Sequence, residues 1–141
     1  MGEDTIFPFE FFVRGTPRSL GASSDSRERW KETIVLSARR KIAETTDFSW
    51  LDERPLSVAI YYFSAAPMEG DIDNIVKPIL DALIGVAYPN DRVVERIIAQ
   101  KIEPDVGWSF DHASEILLSA LDTDVPVVYI RIDDDCAWRR N

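Results

Sequence analysis

Residues 70–94 read Gly-Asp-Ile-Asp-Asn-Ile-Val-Lys-Pro-Ile-Leu-Asp-Ala-Leu-Ile-Gly-Val-Ala-Tyr-Pro-Asn-Asp-Arg-Val-Val, and the architecture turns on how they are parsed. Ile75, Ile79, Ala82, Leu83 and Val86 form an apolar stripe at helical spacing. Pro78 is tolerated in such a helix only close to the first turn, so the helix is expected to begin at Asp73 or Asn74. From Val93 to Ile102 the residues favour a strand.

Upstream, Leu56, Val58, Ile60 and Tyr62 alternate with Ser57, Ala59, Tyr61 and Phe63, which predicts a strand with both faces covered. A turn-like segment, Trp50 to Pro55, precedes it. Trp30, Ile34, Ala38 and Ile42 recur every four residues, so a helix is expected over about 26–44, starting at Asp25 with Glu28 three positions on. Gly15 to Ser26 is a Gly, Ser and Pro-rich loop holding Arg18. Phe7, Phe9, Phe11 and Val13 share one face of a first strand over 6–14, and Pro8 favours a sheet edge.

Downstream, Asp111 to Leu121 reads as a short helix capped by Asp111, Val125 to Ile132 as a final strand, and Asp133 to Asn141 as a polar tail. The expectation is one α+β domain over residues 1–141, a small mixed β-sheet packed by helices in the order βαβαβαβ.

Composition narrows the function classes. A 45% hydrophobic content in 141 residues is enough to build a core without staples. Cys136 is the only cysteine, which excludes an internal disulfide or a multi-cysteine zinc site and points to a reducing, cytoplasmic setting. The first residues lack the pattern of a secretory signal, and no apolar run approaches the roughly 18 residues of a membrane span. A net charge of -9 opposes indiscriminate binding to phosphate. The charge is uneven, with 8 Lys or Arg against 7 Asp or Glu in residues 1–45 and 8 against 18 in the remainder. Phosphate contacts are therefore expected from the first part.

Asp71 and Asp73 are two positions apart, and in extended chain their carboxylates point the same way. Converging carboxylates attract a hard divalent cation such as Mg²⁺, which can acidify a bound water and stabilise a leaving oxygen in phosphodiester hydrolysis. Asn74 can order the turn or bond a ligand oxygen, and Lys77 can neutralise phosphate charge in the transition state. The same residues also suit ordinary roles: an Asp at a helix start is a cap, Lys77 with Asp81 is an i,i+4 pair, and Pro-Asn-Asp is a common turn.

The run Asp-Ile-Asp-Asn-Ile-Val-Lys-Pro-Ile-Leu-Asp-Ala-Leu, a short spacer and Asn-Asp-Arg-Val-Val resemble the signature of the RusA-type Holliday junction resolvases. The resemblance is strong over about 25 residues. It implies a Mg²⁺-dependent homodimer, with Mn²⁺ as a possible substitute, that cuts branched DNA by paired incisions in recombination or repair. It also implies that Asp71, Asp73 and Asp91 are catalytic metal-binding residues and Lys77 the catalytic lysine. The alternative is a RusA-like module with weak or no catalysis that binds a protein partner. Three departures stand out: Asn90 occupies a place where members often carry a second acid, Ala65 to Gly70 lacks the basic residues many members place before the acidic pair, and the net acidity is unusual for a junction binder.

A helix of about 14 residues spans roughly 20 Å, so Asp91 meets Asp71 only if the helix stops near Gly85 and the chain folds back, or if a second subunit supplies the loop. Arg14, Arg18, Arg27, Arg29 and Lys31 are the candidate nucleic-acid contacts, and Arg39, Arg40 and Lys41 form a second basic cluster; both also suit a solvated helix face. Tyr61, Tyr62 and Phe63, like Trp30 and Trp50, are read first as packing residues rather than stacking platforms. His112 receives no role.

Overall fold

The structure is a computed structural model that describes residues 7–19, 21–44 and 53–139; Trp50 lies outside them. Four strands and three helices follow in the expected α+β order: β1 (Phe9–Arg14), α1 (Ser24–Ala43), β2 (Leu56–Phe63), α2 (Asp73–Leu83), β3 (Val94–Ile102), α3 (Glu115–Leu121) and β4 (Val127–Asp133), with one 3-10 turn at Asp91–Val93. The sheet is ordered β1-β4-β2-β3. β4 runs antiparallel to both β1 and β2, whereas β2 and β3 are parallel and joined through α2.

One sheet face carries the main core. Phe9, Phe11 and Val13 from β1 and Val58, Ile60 and Tyr62 from β2 meet Trp30, Ile34 and Ala38 of α1 and Ile75, Ile79 and Leu83 of α2, all buried. The alternation along the strands and the four-residue spacing along α1 are therefore read out directly as burial. On the opposite face Phe63, Ile102, Val127 and Tyr129 pack under Leu117 and Ala120 of α3. Tyr62 and Phe63 are core residues, and Tyr61 stacks on Tyr129 with ring centroids 5.5 Å apart. β1 is an edge strand, as Pro8 requires.

Two helix starts differ from the sequence expectation. α1 begins at Ser24, because the Ser23 side chain, not Asp25, accepts from the Ser26 amide at 3.2 Å. α3 begins at Glu115 rather than Asp111: Ser114 caps it by accepting from the Leu117 amide at 3.1 Å, and His112 adopts φ +55° in the preceding turn. Ser114 also donates to Glu10, a β1 carboxylate only 8% exposed, which accepts from the Tyr129 hydroxyl as well. This buried acid latches α3 to the sheet.

The chain after β4 is not free of the body. The Arg139 guanidinium pairs with Glu95 of β3, the Trp138 indole donates to the same carboxylate at 3.2 Å, and Arg96 lies over the Trp138 ring. Among the described residues no helix is long and apolar enough to cross a membrane.

Candidate active site

The acidic segment joins the loop that follows β2 to α2. Ile72 is helical, at φ -61° and ψ -34°, and the Asp71 carbonyl accepts from the Asn74 amide at 3.1 Å. The extended geometry expected between Asp71 and Asp73 is thus replaced by a helical turn, in which positions two apart do not face one another. Among the described residues neither carboxylate has a side-chain partner, and α2 has no side-chain N-cap. Both are exposed. They are acids left open at a helix start rather than spent on capping it.

α2 ends at Leu83, one turn earlier than the apolar stripe suggests. Gly85 takes φ +78°, a conformation costly for other residues, and its amide donates to the Tyr88 carbonyl at 2.7 Å. The buried Tyr88 hydroxyl donates to the Leu80 carbonyl at 2.7 Å, satisfying a group at the open end of the helix. Burial, reinforced by the charges of Asp91 and Asp81, pushes the Tyr88 phenol well above its ordinary pKa, so it stays a donor. The chain folds back inside one subunit. Asp91 then arrives beside the middle of α2.

There Lys77 reaches both acids, its Nζ lying 2.9 Å from Asp81 Oδ1 and 3.2 Å from Asp91 Oδ2. Hydrogen bonds donated to Asp81 first and Asp91 second hold the ammonium above the usual lysine range, so it remains charged. Lys77 lies four positions after Asp73 and four before Asp81, so all three share one stripe of α2. Asn90 is not spare: its Oδ1 accepts from the Arg92 amide at 3.0 Å and caps the turn that presents Asp91.

No three His, Cys, Asp or Glu side chains are grouped as a metal cage among the described residues. The donors are nonetheless the right kind for Mg²⁺: hard carboxylate oxygens, solvent-open, and few enough to leave room for retained waters. Asp91 is satisfied by Lys77, while among the described residues the Asp71 and Asp73 carboxylates are unengaged. Sequence reasoning undervalued Asp81, which holds Lys77, and missed Tyr88 and Glu10. A lone acid in the aromatic run Phe9 to Phe12 was the available signal for Glu10.

The basic residues divide. Arg14 at the end of β1, Arg18 in the following loop and Arg29 on α1 line one open recess of about 230 Å³. Lys31 pairs with Glu28 at 3.5 Å and Arg27 is half-buried; neither lines that recess. Arg18 also lines a cleft of about 500 Å³ whose far wall is Ala65 to Gly70, the segment entering Asp71. That wall is pinned by the Met68 amide donating to Glu103 at 2.6 Å, a bond that draws the Glu103 carboxyl below its usual range.

The chain is an α+β domain in which a mixed sheet carries an acidic helix start and a returning acidic loop. A family model for the endodeoxyribonuclease RusA matches residues 23–107, from the start of α1 to just beyond β3, and the chain belongs to this RusA family. A search among curated proteins returned no match.

Proposed function

We propose that this protein is a Mg²⁺-dependent endonuclease that hydrolyses phosphodiesters in branched DNA, four-way junctions in particular, as a homodimer acting in recombination or repair. The observation that carries the reading is the return of Asp91 to Lys77 on the α2 stripe that begins with Asp73. It brings Asp91 of the family signature to its lysine within one chain.

Asp71, Asp73 and Asp91 are the residues to hold Mg²⁺. When bound, the ion supplies an acidified water and charge stabilisation for the leaving oxygen. Lys77, kept cationic by Asp81, neutralises charge on the phosphate, and Asn74 orders the turn below it. Arg14, Arg18, Arg27, Arg29 and Lys31 remain the surface from which backbone contacts are drawn.

The test is cleavage of labelled four-way junction, duplex and single-stranded DNA by purified protein with Mg²⁺, Mn²⁺ or chelator, beside Asp73→Asn. Metal-dependent cutting of the junction that the substitution abolishes supports the proposal. A folded protein that cuts none of these substrates shifts the reading to a RusA-like module that binds a protein partner, which the charge of -9 favours. Light scattering of the protein in solution checks the dimer.

A further inference from the structure

The recess beside α1 is unusual for so acidic a chain. Among the described residues Arg14, Arg18 and Arg29 have no ion-pair partner, and no Asp or Glu lines the recess they share. Thr16 and Ser26 add hydroxyls to the same lining, while the Thr33 hydroxyl donates to the Arg29 carbonyl at 3.0 Å. Trp30 walls it as well, and its Nε1–H is buried without an acceptor. Gly15 permits the close approach of chain to indole: a Cβ there stands 3.3 Å from the Trp30 ring, and its φ is +140°. Unpaired guanidiniums with hydroxyls around an acid-free hollow match the chemistry of a phosphate, which takes forked N–H donors and extra hydrogen bonds.

The recess adjoins a larger cleft that reaches the residue before Asp71. Arg18 belongs both to it and to the larger cleft, whose opposite wall runs through Gly70 toward Asp71. That wall offers no cation of its own, since Ala65 to Gly70 carries a single charge, that of Glu69. The positive charge of this cleft comes from Arg18 across the gap.

Resting on the endonuclease reading above, we propose that Arg14, Arg18 and Arg29 form a seat for one backbone phosphate of the strand that crosses the cleft to Asp71 and Asp73. It positions the strand without reading bases. Arg27 and Lys31 are not part of it.

The test measures binding of the full-length protein to a fluorescein-labelled four-way junction by anisotropy, in chelator, across a salt series. Arg14→Gln, Arg18→Gln and Arg29→Gln are each expected to weaken binding about threefold to tenfold, and the triple variant to flatten the log–log salt slope by about 0.9, the loss of one phosphate contact. Arg131→Gln, which removes a cation paired with Asp133 on the sheet face away from α1, is expected to keep the slope, and Arg29→Lys to retain most of it. Circular dichroism confirms that each variant is folded.

An unchanged slope in the folded triple variant overturns the seat. Calorimetry with inorganic phosphate separates the sources: Arg29-dependent phosphate binding with an unchanged DNA slope means a free-anion site and also overturns it. Failure of the two proposals is distinguishable. A protein that cuts no DNA but loses slope in these variants keeps the seat and loses the endonuclease; Asp73-dependent cutting with an unaltered slope does the reverse.

Discussion

Lys77 and Asp91 are 14 positions apart in sequence, yet their side chains meet at 3.2 Å across the gap between α2 and the turn before β3. The pair forms within one subunit. A shortened helix and a glycine turn bring the acidic loop back, so a second copy is not needed to place Asp91 against α2. Asp81 completes the arrangement by holding the same ammonium from the next helical turn.

Lys77→Met is expected to slow single-turnover cleavage of a four-way junction roughly 10²-fold, the usual effect of removing one charge-stabilising donor. Asp81→Asn should cost less, because the ammonium keeps Asp91. Both pairs are open to solvent, so melting temperatures should stay close to that of the parent protein. Undiminished rates in Lys77→Met would leave the lysine with only a counter-charge role.

Tyr88→Phe removes the hydroxyl that satisfies the Leu80 carbonyl in the interior. A loss of about 1–3 kcal/mol in urea unfolding is expected, with faster amide exchange over residues 84–90. Gly85→Ala should cost about 1–2 kcal/mol by forcing a side chain into a left-handed conformation, although no atom crowds the new methyl. Unaltered stability in both would show that the return loop is held elsewhere.

Glu10→Ala leaves the Tyr129 hydroxyl without its acceptor and releases Ser114 at the start of α3. A destabilisation of about 1–3 kcal/mol is expected, with α3 exchanging its amides first. Glu10→Gln, which keeps an acceptor oxygen, should recover part of it. Exchange that accelerates uniformly along the chain would argue against a local latch.

The Arg139 guanidinium, more than any other neighbour, draws the Glu95 carboxyl below its ordinary value. A depressed folded pKa contributes stability above the unfolded pKa and loses it as pH falls through the folded one. Docking of the C-terminal segment on β3 should therefore persist near neutrality and be released in acid, between about pH 4.5 and lower values. Trp138 emission should shift on acidification from about pH 6 to about pH 3, and the step should vanish in Glu95→Gln and Trp138→Phe. A step that survives in Glu95→Gln would assign the release to another acid.

Apolar periodicity in the sequence carried most of the fold. Phe9, Phe11 and Val13, and Trp30, Ile34 and Ala38, are buried as their spacing implies, because period two and period near four each leave only one face for the core. What periodicity could not convey was hydrogen-bonded: Ser114 rather than Asp111 caps α3 because Glu10, distant in sequence, fixes its hydroxyl. In the candidate site, the local acids and Lys77 were legible as a motif. The helical state of Ile72, which undoes the strand-like aim of Asp71 and Asp73, was not, since the alternation argument presumes the backbone it needs. The division of the arginines was likewise invisible, as a charge cluster in sequence does not tell which members face one hollow.

The segment from Asp71 to Asp91 lies between β2 and the adjacent β3, so the candidate site residues sit on one contiguous excursion between neighbouring strands. β1, β4 and α3 supply a frame but none of those side chains. Such an insert is transplantable in principle, and a circular permutant opened in the exposed turn near Gly107 should still carry it whole.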